Sequence, residues 1–300
     1  MNDLGVWLIK VINKVVPPPK MLEELDIAKL RIPDYQDWEY NEAIRITPEF
    51  GRLWQIKNKN ILDVGSGLGG KPLFYAEQGA KIVSAIDLRF VSSTATLNLA
   101  LQHGYQNILS INSNAAQIPF PNNYFDVIVS INVMEHVDDP LSSLAECKRV
   151  LKPGGLFFLH FPPFYSPWGA HLEGWINFPW PHVVFSDKTL LKAADQIDQE
   201  KQKNTDYIPT ARFKWISYDR LPELNRITVD KFLKLIKEVD LIVLESTLLP
   251  FGRHYLTSKG IFGRLVFSLL RFLGQLPLLK EIITTKMVFA LTKSSINSKK

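Results

Sequence analysis

The chain has 300 residues, 46% hydrophobic and 22% charged, an ordinary globular composition that suits one large domain with insertions or two small ones. Its single cysteine, Cys147, excludes an internal disulfide and a cysteine-based zinc cluster, so a reducing compartment, the cytoplasm, is the expectation. The net charge of +5 is spread along the chain with some concentration at the C-terminus, and no arginine-rich helix or aromatic RNA-binding signature accompanies it, so no nucleic-acid partner is expected.

The opening MNDLGVWLIK carries Asp3 before its apolar residues and lacks a basic leader, which predicts no secretory signal. From Gly5 to Val16, Trp7, Leu8, Val11, Ile12 and Val15 interleave with Lys10 and Lys14, the pattern of a basic amphipathic helix. KNILDVG reads as a short buried strand, followed by a glycine-rich loop and a helix with Pro72 in its first turn that closes at Gly79. KIVSAID is the next strand, VSSTATLNLALQHG a helix closing on Gly104, and NILSINSN a third strand. YFDVIVSINV is a fourth, PLSSLAECKRVL a helix, and KPGGLFFLHF a turn leading into a fifth. Such alternation implies a parallel sheet covered on both faces, because parallel strands need crossovers. Ligands of these sheets bind beyond the carboxyl ends of the strands, where Asp63, Asp87, Asn114, Asn132 and His160 all fall.

The loop ILDVGSGLGG satisfies two ligand patterns at once. Gly65, Gly67 and Gly70 have the spacing of a dinucleotide site, in which backbone amides approach a pyrophosphate. Asp63 opposes that reading, since a carboxylate beside the loop repels phosphate and favours a cation. S-adenosylmethionine offers a sulfonium and an α-ammonium there, while Asp87 stands at the distance of an acidic residue that takes ribose hydroxyls in either kind of site.

From about Ile61 to Gly155 the chain resembles the class I S-adenosylmethionine-dependent methyltransferases of the large UbiE-like, type 11 group. LDVGSGLGG, AIDLR, NAAQIPFPNNYFDVIVSINVMEHVDDP and RVLKPGG follow that family's order and spacing. The resemblance implies that Gly65, Gly67 and Gly69 form the methionine-side loop, that Asp87 holds the ribose, and that Asn114, Ala115 and Ala116 meet the adenine; Asp63, by its charge, and Ser66, Leu88 and Asn132 are further candidate cofactor contacts. The family commonly has Asp where this chain has Asn114; the side-chain carbonyl still accepts from an exocyclic amine, but without charge assistance, so weaker adenine selectivity is expected.

The resemblance also implies two strands after the fifth, giving an α/β fold with a doubly wound, mostly parallel, seven-stranded Rossmann-like sheet and an antiparallel final strand. TVDKFLKLIKEVDLIVLESTLL supplies a helix and the sixth strand, and IITTKMVFALTK the seventh. This sets off an N-terminal helical segment, residues 1–40, from a methyltransferase domain, residues 41–300, with insertions at about 162–226 and 250–280. The first insertion leaves the fifth strand's carboxyl end and is expected to cap the acceptor. Its Tyr165, Trp168, His171, Trp175 and His182 offer flat faces and polar edges for a small-molecule, glycan or lipid-linked acceptor, the alternative being a satellite core. His160 and His136 are the candidate bases for an oxygen acceptor. Glu135, Asp138 and Asp139 read as an exposed helix start with capping charges, and no metal is expected.

Residues 261–279 place Phe262, Leu265, Val266, Leu269, Leu270 and Leu273 on one helix side and Arg264, Ser268, Arg271 and Gln275 largely on the other. With residues 5–16 this predicts peripheral contact with the inner face of an anionic membrane, a lid or dimer helix being the competing reading. The sequence reading as a whole is an S-adenosylmethionine-dependent methyltransferase, acting at oxygen, with an NAD-dependent oxidoreductase or a non-catalytic cofactor-binding protein as alternatives.

Overall fold

The computed structural model describes residues 2–17, 31–203, 224–252, 256, 258–277 and 279–294. In chain order, α1 (Asn2–Val15), α2 (Ile32–Ile46) and a 3-10 segment (Thr47–Leu53) precede β1 (Asn60–Val64), α3 (Gly70–Glu77), β2 (Ile82–Asp87), α4 (Phe90–Gln102) and β3 (Ile108–Asn112). Next come β4 (Phe125–Ile131), α5 (Pro140–Val150), β5 (Leu151–Phe161), α6 (Pro181–Val184) and α7 (Asp187–Gln202). The chain continues through α8 (Val229–Glu238), β6 (Ile242–Pro250), α9 (Gly260–Leu273), α10 (Lys280–Ile283) and β7 (Thr284–Thr292). All seven expected strands are present. Local chemistry sets their limits: Asp139 accepts from the Ser142 amide and Pro140 follows it, starting α5, while Thr228 caps α8 through the Lys231 amide.

The strand order is β3-β2-β1-β4-β5-β7-β6. β1 pairs in parallel with both β2 and β4, β4 pairs in parallel with β5, and β7 runs antiparallel to β5. The order therefore reverses between β1 and β4, which opens a crevice at their carboxyl ends.

Alternation along the strands feeds two cores. One face gathers Val64, Phe125, Phe157, Leu159 and Phe161 with Leu144, Phe232 and Phe289. The other gathers Ile61, Val83, Val129 and Phe158 under Ala43, Ile46 and Phe50, so α2 and the 3-10 segment roof this second face. Phe158 is fully buried there, its ring 4.8 Å from that of Phe50 and 5.3 Å from that of Trp54.

Two compact units emerge. The sheet unit comprises residues 32–161, 227–249 and 286–300, so α2 belongs to it whole; a boundary at residue 40 cuts through this helix. The second unit comprises residues 1–31, 162–226 and 250–285, the segments that the sheet does not need. Residues 18–30 and 204–223 of these segments lie outside the described residues.

Within the second unit, α1 buries Val6 and Ile9 against Leu190, Ala193, Ala194 and Ile197 of α7. Asn13 donates to the Trp175 carbonyl and accepts from the Asn177 amide, and Trp180 donates to the Ile282 carbonyl. The outward side of α1 still carries Leu4, Trp7, Leu8, Val11 and Val15, with Trp7 58% exposed. On α9 the apolar residues divide differently from the sequence expectation. Val266, Phe267, Leu270 and Leu273 are half-buried, whereas Ile261, Phe262, Leu265, Leu269 and Phe272 face out beside Arg264, Ser268 and Arg271. Glycines explain the split: Gly263 is buried and its Cα lies so close to the Leu256 carbonyl that a Cβ would stand 1.9 Å from it, which turns the helix by that edge. Among the described residues no helix is long and apolar enough to cross a membrane.

Phe158→Ala should cost about 3–5 kcal/mol, because it empties a ring-sized volume between Phe50 and Trp54. The loss is measured as a lower urea midpoint at unchanged slope by far-ultraviolet circular dichroism.

Candidate active site

The loop after β1 is folded back and held by the chain's own groups. The amides of Gly65 and Ser66 donate to the Ile86 carbonyl at 2.8 and 3.0 Å, and the Gly67 amide donates to Asp87 Oδ2 at 3.0 Å. From above, α2 lays Glu39 across the loop. Its carboxylate accepts from the amides of Leu68 and Gly70 at 3.0 and 3.1 Å, capping the N-terminus of α3, and Gln36 donates to the Leu68 carbonyl at 2.8 Å. Gly67, at φ +64°, is needed for this closure, since a Cβ there would lie 1.7 Å from Glu39 Oε1. A side chain at residue 67 therefore strikes Glu39.

This arrangement answers the ambiguity of the glycine spacing. A pyrophosphate needs free loop amides and a positive helix end. Here carboxylates already occupy the amides of Gly67, Leu68 and Gly70. The site selects against a phosphate.

What remains open is acidic. Asp63 is fully buried, and neither carboxylate oxygen has a hydrogen-bond partner among the described residues; the same holds for the buried Ser66 Oγ. Burial pushes the Asp63 carboxyl up to about 7, with Glu39 and Asp87 adding to the rise and Lys71 opposing it. Lys71 lies 3.8 Å from Glu39 Oε1; burial pulls its ammonium down, but Glu39, Asp63 and Glu42 outweigh that and hold its pKa above the ordinary value. Buried acceptors without donors are costly. A cationic ligand group with N–H donors would relieve Asp63.

The other candidate cofactor residues lie at or just past the ends of β2, β3 and β4 in the sheet unit. Asp87, at the end of β2, spends one lone pair of each oxygen on the Gly67 and Arg89 amides and has others left for hydroxyl donors. Leu88 is exposed beside it. Asn114 Oδ1 accepts from the Ala116 amide at 2.8 Å, so the carbonyl expected to meet adenine also fixes the turn carrying Ala115 and Ala116. Asn132, at φ +54°, sits just past β4 and is tied sideways: it donates to Glu42 Oε1 at 2.9 Å and accepts from Lys286 Nζ at 2.7 Å.

Among the histidines, His160 is buried near the end of β5 with Nε2 3.5 Å from Glu49 Oε2, and burial lowers its pKa against the pull of that carboxylate. His136 is half-buried, 3.9 Å from Glu135. Glu135 corrects the sequence reading: it is buried and not part of an exposed helix start, and burial pushes its carboxyl up to about 7. Asp138 and Asp139 are exposed as expected.

The proposed acceptor residues lie in the second unit. Trp175 is buried in its core and donates to Asp198 Oδ1 at 3.1 Å, which makes it a packing residue there. His182 packs edge-on to the Phe164 ring and parallel to Tyr165; burial pushes it down to about 4, so it is neutral near pH 7. Tyr165 is exposed, and Trp168 and His171 are partly exposed.

Sequence reasoning missed Gln36, Glu39, Glu42, Glu49, Lys71 and Lys286. For α2 a signal existed: its inward stripe, Gln36, Glu39, Glu42, Ala43 and Ile46, is polar where burial should make it apolar.

The family model of the methyltransferase domain matches residues 62–159, from β1 to β5. These residues are a methyltransferase domain of the class I, S-adenosylmethionine-dependent type. A ubiquinone biosynthesis O-methyltransferase of Idiomarina loihiensis is 32% identical over 157 residues, 47% of this chain and 62% of that protein. Another, of Haemophilus ducreyi, is 38% identical over 109 residues, 34% of this chain and 44% of its own. The chain thus matches roughly half the length of these relatives. In fold, an S-adenosylmethionine-dependent methyltransferase from Mesorhizobium loti aligns over 88% of this chain and 100% of its own, with TM-score 0.52 and 14% identity. The [4+2]-cyclase SpnF aligns over 85% of this chain and 80% of its own, with TM-score 0.52 and 15% identity. The cofactor of the domain is S-adenosylmethionine, and the unpartnered Asp63 beside occupied loop amides fits its cationic methionine end.

Burial of Asp63 also carries a cost for the fold that depends on pH. A carboxyl raised from 3.8 to about 7 on folding binds its proton more tightly in the folded state, so its contribution is fully present below pH 3.8 and is lost as pH rises through about 7. Asp63→Asn should accordingly unfold about 1–3 kcal/mol later than the wild type at pH 7.5, with the difference shrinking toward pH 4. Denaturation across that range measures it, and a pH-independent difference would contradict the assignment.

Proposed function

We propose that the protein transfers a methyl group from S-adenosylmethionine to a hydroxyl of a hydrophobic or lipid-linked small molecule at an anionic membrane surface. The observation that carries the reading is the buried, unpartnered Asp63 carboxylate next to a loop whose amides Glu39 and Asp87 already hold. Both curated relatives are described as O-methyltransferases of ubiquinone biosynthesis, which supports oxygen as the acceptor atom. The fold alone does not, since one neighbour of the same fold is described as a cyclase.

S-adenosylmethionine supplies a methyl group on a sulfonium. Asp63 binds the cationic methionine end, Asp87 the ribose hydroxyls, and the turn at Asn114 the adenine edge. Direct displacement at a methyl carbon disperses charge, so most of the rate comes from holding the two reactants in line. His160, buried and neutral at pH 7, takes the hydroxyl proton.

Membrane contact is supported by the outward faces of α1 and α9. Their exposed Leu4, Trp7, Val11, Phe262, Leu265, Leu269 and Phe272 are accompanied by Lys14, Arg264 and Arg271, a pairing of apolar and basic groups that suits an anionic interface.

Calorimetric titration tests the site. S-adenosylhomocysteine should bind and NADH should not, and Asp63→Asn should weaken the former by about 1.5–3 kcal/mol. Binding of NADH alone would overturn the reading. Transfer of labelled methyl from the cofactor into a lipid extract of the source cells is expected, whereas binding without any transfer would leave a cofactor-binding protein. In co-sedimentation at low salt, the wild type should pellet with anionic vesicles and a Leu265→Glu, Leu269→Glu variant should stay behind. Equal behaviour of the two folded proteins would assign these faces to a lid or a dimer.

A further inference from the structure

We propose that Glu49 is the positioning residue for His160, fixing the imidazole tautomer so that Nδ1 is the atom that takes the acceptor's proton. The inference rests on the O-methyl-transfer reading and deepens it. Its basis is a band of polar groups on one face of the sheet. Asp63 pairs with Val129, Val129 with Phe158, and His160 with Val288. Side chains two residues apart share a face, so Asp63, His160 and Lys286 all lie on the side roofed by α2 and the 3-10 segment. His160 stands two strands across from Asp63 and two residues further along, which puts their Cα atoms roughly 12 Å apart. A group held at Asp63 and an acceptor held at His160 are thus near enough to meet.

The surroundings of His160 divide its two nitrogens. Nε2 faces Glu49 Oε2 at 3.5 Å, while Nδ1 is buried and has no hydrogen-bond partner among the described residues. The backbone is fixed as well, because the His160 carbonyl accepts from the Asn132 amide at 2.7 Å. A carboxylate beside Nε2 favours the tautomer with its proton there and leaves a lone pair on Nδ1, the arrangement that prepares an imidazole to act as a base. Glu49 from the 3-10 segment and Glu42 from α2 favour the imidazolium; Lys286 from β7 and burial oppose it. The ring therefore rests neutral and gains a counterion only when it takes a proton.

The step balances without another reactant. As the acceptor oxygen forms its bond to the methyl carbon, its proton passes to Nδ1. The electron pair of the broken carbon–sulfur bond stays on sulfur, which leaves a neutral thioether. The imidazolium, paired with Glu49, then returns its proton to solvent.

Histidine labelled with nitrogen-15 in the intact protein reports the tautomer directly by NMR, with no acceptor needed. In the wild type, His160 should carry its neutral-state proton on Nε2. Glu49→Gln should lower the His160 pKa by about half a unit or more, because it removes the charge that favours the imidazolium. The same variant should slow labelled methyl transfer into a lipid extract by about 10- to 100-fold, with S-adenosylhomocysteine affinity unchanged and partial recovery in Glu49→Asp. His160→Asn should slow transfer about 100-fold or more and bind S-adenosylhomocysteine as the wild type does. A neutral His160 with its proton on Nδ1 in the wild type, or a His160 titration that Glu49→Gln leaves in place, overturns the proposal. Failure of the wild type to bind S-adenosylhomocysteine overturns the methyl-transfer reading instead.

Discussion

The carboxylate of Glu39 closes the glycine-rich loop, and the placement of the site depends on that contact. A loop of small residues after a parallel strand presents amides that must be satisfied, and a helix N-terminus just beyond it adds a partial positive charge. In dinucleotide sites the ligand's phosphates do this work. Here α2 does it from within the chain, with Glu39 on the amides of Leu68 and Gly70 and Asp87 on that of Gly67. The loop's demand for anions is met internally, and the residual character of the site is set by Asp63.

Charge at the crevice is therefore a matter of surplus. Asp63, Glu39 and Glu42 gather around Lys71, and burial raises the carboxyl pKa of both Asp63 and Glu39. Such a cluster is unfavourable for an isolated fold and is tolerated where a ligand cation completes it. The same surplus disfavours phosphate and favours a cationic group. Farther along the same face Glu49, His160 and Lys286 continue the polar band, so the proposed binding and proton-transfer groups share one side of one sheet.

The second unit is built by a different logic. Three segments distant in sequence supply its helices, and α1 serves two surfaces at once: Val6 and Ile9 pack on α7 while Trp7 and Val11 stay outside. The aromatic cluster divides in the same way. Trp175 is core and Tyr165 is surface, although both are flat residues of one proline-rich stretch.

The sequence by itself determined the strands, the helices between them, the loop and the carboxylates at strand ends, because period, glycine position and helix caps act over a few neighbouring residues. It also settled the direction of the charge argument, since Asp63 adjoins the loop within the same segment. Only the tertiary structure decided which groups face that carboxylate. Glu39 and Lys71 meet across 32 positions, His160 meets Glu49 across 111, and Asn132 is clasped by Glu42 and Lys286 from opposite ends of the chain. The role of Glu39 exists because α2 lies over the loop. The burial of Glu135 and the split faces of α9 were hidden for the same reason. Whether a polar or apolar side chain is buried depends on what the rest of the fold puts against it, and a linear pattern carries only the chain's own contribution.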